Sequence, residues 1–184
     1  MQHNAKNVDS ATSQKRYTIS GLNNLERESF VQKIGPVFEH SPWIAEMTWQ
    51  KRPFHNLENL HRALCETVKS SGAGKQIVLI RAHPDLVGRA ALAGTLTRES
   101  AGEQAVAGLN KLSPEEIALF QKNNAVYKEK FSFPFVICAR LNKREAILNG
   151  FERRLENSRE QEIKTALEEI FKIAELRLRD LISD

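Results

Sequence analysis

The chain has 184 residues, 41% hydrophobic and 27% charged, with a formal net charge of +4. That length supplies one globular domain with its own core and leaves no need for a second. Lysines and arginines are interleaved with acids, which argues against a nucleic-acid partner, and the longest apolar run, Ile77 to Ile80, is far too short to span a bilayer.

Residues 1–20 are polar, aperiodic and without an apolar signal region, so they read as a disordered tail ahead of a helical domain over 21–184. Leu25, Val31 and Ile34 begin an apolar stripe that Gly35-Pro36 ends. Ser41-Pro42 then supplies an N-cap followed by proline at the first helical position. Leu57, Leu60, Leu64 and Val68 fall on one helical face, with Asn56 as cap and a stop near Ser71-Gly72. Residues 76–82 fit a buried strand or a buried helix, and without a second convincing strand in the chain we read a helix. Ser113-Pro114-Glu115-Glu116 is a capping box with proline at the first position, opening a helix through Ile117, Phe120, Tyr127 and Phe131. Phe133-Pro134-Phe135 must break it, because proline removes a donor and pushes the preceding residue toward extended backbone. Asn142 with Glu145 starts a further helix. Ser158 with Gln161 starts the last, whose stripe is Ile163, Leu167, Ile170, Ala174 and Leu181. The pattern predicts an all-α, compact single-domain fold of about seven to nine helices.

Chemistry concentrates between His83 and Gln104. Pro84 ends the preceding helix at His83, so the imidazole sits at an element terminus, where side chains are aimed into clefts. There it can act as general acid or base, with Glu103 orienting either it or a substrate. Ser100-x-x-Glu103 also has the spacing of a capping box, and a helix N-terminus exposed by a capping serine would suit a carboxylate. Phe131 to Ala139 has the composition of core. Its proline-broken backbone nonetheless leaves amide groups needing partners, and a polar heterocycle is one candidate.

Other features carry less. Cys65 and Cys138 match no metal or redox spacing, which makes a reducing compartment, the cytoplasm, the simplest location. His61 and Cys65 stand at i, i+4 on one helix without further ligands, so no metal site is expected. Gly72-Ala73-Gly74-Lys75 lacks the strand before and the Ser/Thr after that a phosphate loop needs.

Taken together, Phe38-Glu39-His40-Ser41-Pro42-Trp43, Arg52-Pro53-Phe54, Ala82-His83-Pro84-Asp85-Leu86, Ser100-x-x-Glu103-Gln104, Tyr127-x-x-x-Phe131-x-Phe133-Pro134-Phe135-Val136-Ile137 and the pattern from Ala166 to Leu178 resemble the OHCU decarboxylases, in the same order, over about Leu22 to Leu181. Those enzymes act on 2-oxo-4-hydroxy-4-carboxy-5-ureidoimidazoline (OHCU), a late intermediate of urate breakdown. The resemblance implies an all-helical homodimer, without metal or organic cofactor, releasing carbon dioxide and S-allantoin. It implies His83 as catalytic histidine with Pro84 beside it, and one wall of Ser100, Ala101, Gly102, Glu103 and Gln104. A second wall of Phe135, Val136, Ile137, Cys138 and Ala139 would supply backbone contacts, and Arg177 would face the substrate. Ser132 stands where glycine is commoner in the family. The rival expectation is a non-catalytic helical interaction module in which 83–104 is only a capped turn.

Overall fold

The computed structural model describes residues 16–183. Among them are ten α-helices: α1 (Ile19–Asn23), α2 (Arg27–Ile34), α3 (Trp43–Thr48), α4 (Leu57–Lys69), α5 (Ala73–Ala82), α6 (Arg89–Leu92), α7 (Arg98–Val106), α8 (Pro114–Phe131), α9 (Arg144–Leu155) and α10 (Arg159–Leu181). The excess over the expected seven to nine comes from pieces of one turn, α1 and α6. Apart from one isolated bridge, β-pairing is absent among the described residues.

The organising element is α10, which packs on both α4 and α5. It starts at the expected box, Ser158 with Gln161, and buries Ala166, Leu167, Ile170, Ile173, Ala174 and Leu178 along one face. A stripe at helical spacing that long stabilises a helix through packing more than through propensity. The 77–80 run is helical, inside α5. Leu79 and Ile80 are buried while Val78 is 63% exposed, so the run has one core face rather than two.

The break after α8 shapes the rest. Ser132 ends the helix in the left-handed region at φ 64°, a conformation that favours glycine. The chain then runs extended, burying Phe133, Phe135, Val136 and Cys138. Phe135 stacks on Phe151 at 3.9 Å between centroids and meets Tyr127 edge-on at 5.2 Å. Gly150 lets α9 come this close: a Cβ there would lie 3.2 Å from the Phe135 ring.

Three expected helix starts move. Pro42 takes the cap position of α3 in place of Ser41, with no side-chain cap bond. Lys143 caps α9 in place of Asn142, whose amide instead donates to the Cys138 carbonyl at 3.0 Å. In α7 the cap is Thr97, whose hydroxyl accepts from the Ser100 N–H, so Ser100 lies inside the helix and the box reading of Ser100 with Glu103 fails.

The tail boundary also shifts. Tyr17 donates from its backbone to Leu181 O at 2.8 Å and accepts from Ser183 N at 2.9 Å, forming a parallel bridge with Ile182. Thr18 caps α1. Residues 16–20 therefore belong to the fold, while the tail reading of 1–15 lies outside the described residues.

Candidate active site

Pro84 stops α5 as its chemistry requires, and His83 takes the C-cap with extended backbone, its N–H bonded to Ile80 O at 3.2 Å. The imidazole is 8% exposed. Its Nδ1 lies 3.0 Å from the Leu79 carbonyl. A carbonyl can only accept, so Nδ1 carries the proton and the neutral ring keeps its lone pair on Nε2. Burial pulls the His83 pKa down to about 4, against the Leu79 bond and the Glu39 carboxylate, which raise it. The ring is therefore a neutral base at physiological pH, oriented by a backbone carbonyl rather than by Glu103.

Glu103 has a different partner. Both its oxygens accept from Arg177, at 2.7 Å from Nε and 2.9 Å from Nη2, a bidentate fork between residues 74 apart in the chain. The same guanidinium donates to Glu39 Oε2 from Nη1 and Nη2, both at 3.1 Å, and to the Pro36 carbonyl at 3.2 Å. Glu39 further accepts from the hydroxyls of Thr97 at 2.7 Å and Ser100 at 3.0 Å. Burial alone would raise the Glu39 pKa, but the Thr97 bond and the Arg177 charge outweigh it and the net shift is downward. For Arg177 burial works toward a lower value, and the two carboxylates reverse it, keeping the guanidinium charged. Glu39 appeared in the sequence only inside a motif. The legible signal was a carboxylate placed directly after the apolar pair Val37-Phe38.

His83, Pro84, Ser100, Glu103, Gln104, Phe135, Val136, Ile137 and Ala139 surround one cavity of about 30 Å³, with Leu86 and Ile173, which sequence reasoning had not singled out. Three expected members are not in this wall. Ala101 and Gly102 are exposed, on the other face of α7. Cys138 spends its N–H on Glu169 at 2.8 Å and its carbonyl on Asn142 and Leu141. The Val136 carbonyl is likewise taken by Arg154 at 2.6 Å. Among the described residues, the N–H and C=O of Phe135 and of Ile137 and the N–H groups of Val136 and Ala139 keep no protein partner, so the expected backbone contacts narrow to these. Gln104 accepts from Val87 N at 3.1 Å through Oε1, which fixes its NH2 as the free end.

The candidates for other chemistry resolve simply. His61 Nε2 lies 2.9 Å from the Phe171 carbonyl and 3.3 Å from Cys65 Sγ, and both cysteines are free. Among the described residues no helix is long and apolar enough to cross a membrane.

The comparisons follow the same residues. The family described as OHCU decarboxylase matches residues 23–179. The 2-oxo-4-hydroxy-4-carboxy-5-ureidoimidazoline decarboxylase of Amia calva is 45% identical over 88% of this chain and 92% of its own length. That of Halalkalicoccus jeotgali is 41% identical over 90% and 92%. A crystal structure of (S)-allantoin synthase superposes with a TM-score of 0.73 at 25% identity, over 90% of this chain and 54% of that one, so this chain spans about half of it. With one family matched from end to end of the helical domain, and relatives this similar over nearly their whole lengths, the chain belongs to the OHCU decarboxylase family.

Proposed function

We propose that the protein decarboxylates 2-oxo-4-hydroxy-4-carboxy-5-ureidoimidazoline to (S)-allantoin and carbon dioxide, with His83 moving the proton. The observation that carries this reading is a neutral imidazole, fixed through Nδ1, in a cavity shared with Glu103, Gln104 and the free amide of Ile137. The carbon that loses the carboxylate also bears a hydroxyl and neighbours a ring C=N bond. The electron pair of the breaking C–C bond therefore has a sink inside the substrate, and no organic cofactor is required of the protein. Two protons end on the ring, one on its nitrogen and one on the ureido-bearing carbon. One comes from the hydroxyl, whose carbon becomes a carbonyl, and one from solvent. His83 Nε2 takes the hydroxyl proton and returns it to the ureido-bearing carbon.

The rest of the site supplies orientation and electrostatics. The Gln104 NH2 and the Ile137 amide match the donor and acceptor edges of the ureido group. Pro84, Phe135 and Val136 keep water from the face that receives the proton. We read the assembly as a cytoplasmic homodimer without metal, on the family resemblance; sedimentation and a chelator challenge test the two halves of that reading.

The deciding experiment follows circular dichroism after mixing enzyme with freshly generated substrate. The expected trace grows to the S sign faster than uncatalysed decay, and in heavy water one deuteron appears at the new C–H. Racemic product at the uncatalysed rate overturns the proposal.

A further inference from the structure

The 30 Å³ beside His83 holds about one water molecule, not a substituted imidazoline ring. A much larger cavity of about 720 Å³ adjoins it: Glu103 lines both, and Arg177 lines the larger one. The Arg177–Glu103 fork is thus the partition between the two spaces.

The larger cavity has an unbalanced charge. Arg140 is held by Asp180 at 2.6 Å, and Arg177 by Glu103. That leaves Arg16, Lys33 and Arg98 on the walls against Glu99 alone. Arg98 is exposed, and its side chain makes no ion pair or hydrogen bond among the described residues. It is also the first residue of α7, where a cation opposes the helix dipole and costs stability. A carboxylate would be favoured at that position, yet an arginine occupies it, facing a concave space whose low-dielectric walls concentrate its field.

We propose that this cavity is the capture site for the substrate's carboxylate anion, a vestibule from which the substrate reaches His83 when the Glu103 carboxylate moves off Arg177. This rests on the decarboxylase reading above. Capture by Arg16, Lys33 and Arg98 acts on association and leaves the chemical step alone. It also fades as salt shortens the range of the field.

The test compares wild type, Arg98→Glu and, as a control for net charge, Lys122→Glu on the exposed side of α8 and outside the cavity. Initial rates are measured at low and high ionic strength, with thermal melts alongside. For Arg98→Glu at low salt, kcat/KM falls about three- to fivefold with kcat unchanged, and the gap closes at high salt. Its melting temperature holds or rises, because glutamate suits the start of α7. Lys122→Glu leaves kcat/KM near wild type. An Arg98→Glu enzyme with wild-type kcat/KM at low salt, or with a deficit matched by Lys122→Glu, overturns the vestibule while leaving the decarboxylase reading intact. No stereospecific turnover by wild type overturns both.

Discussion

At the level of single residues, the fold keeps the His83 ring neutral, and the proton-transfer role proposed for it depends on that. Its ordinary pKa of 6.5 falls to about 4, chiefly through burial. His83→Ala removes the proton-transfer group from an otherwise assembled pocket, and turnover should drop at least about 100-fold in a folded protein. In wild type the acid limb of kcat/KM should lie well below 6.5; a limb at the ordinary histidine value would mean that the ring is hydrated in the free enzyme. The same shift bears on stability. Between 6.5 and about 4 the unfolded chain binds a proton on this ring and the native chain does not, so stability falls as pH is lowered through that window. Denaturant titrations above and inside the window should show a smaller fall for His83→Ala. His83 was legible in the sequence because Pro84 fixes where the helix ends. Glu103 was legible as a polar group near it, but not its partner, since Arg177 is brought there only by α10 crossing the core. Glu39 was not read as chemistry: its place after Val37-Phe38 hints at burial, but its partners Thr97, Ser100 and Arg177 come together only in the fold.

At the level of elements, helix starts were well marked where a full capping box closes, at Ser113 and Ser158. They slipped by one residue at Ser41 and Asn142, where no side-chain cap bond forms, and by three at Ser100, where a second candidate competed. Thr97 and Ser100 both have capping chemistry; Thr97 takes the cap, and the hydroxyls of both donate to Glu39. The wall formed by the chain after α8 depends on an arrangement no local pattern announces. Arg154 on α9 binds Glu162 on α10 at 2.9 Å, the Tyr127 hydroxyl at 3.2 Å and the Val136 carbonyl at 2.6 Å, with its guanidinium 4.4 Å from the centre of the Phe135 ring. Glu162 also accepts from Tyr127 and from Asn157, at 2.7 Å for the latter. A fully buried carboxylate tolerates this position only while paired. Arg154→Ala should therefore cost about 3–5 kcal/mol, read by chemical denaturation. A loss under about 1 kcal/mol would show that water replaces the guanidinium.

For the whole molecule, the helical class and the single core followed from composition and periodicity, while the part that residues 16–20 play in the fold did not. Tyr17 lacks any helical signal, and its value lies in a partner 165 residues away, Ile182. A chain lacking residues 1–18 should melt below one lacking 1–15, since the former also loses the Tyr17 bridge and the Thr18 cap, the cap alone contributing about 1 kcal/mol. Equal melts would mean that the bridge adds nothing.

The bridge between Tyr17 and Ile182 makes the two ends of the described chain a single cooperative unit. Fraying, which in most domains starts independently at each terminus, must here break the same pair of hydrogen bonds from whichever side it begins. The Tyr17 amide and the last turn of α10 should consequently exchange their hydrogens through one shared opening. Lys33, whose ammonium rests 4.7 Å from the centre of the Tyr17 ring, and Arg16, which donates to the Arg179 carbonyl, lose their anchorage in that same event. The strength of the clasp thus sets how long the cationic rim of the vestibule keeps its shape.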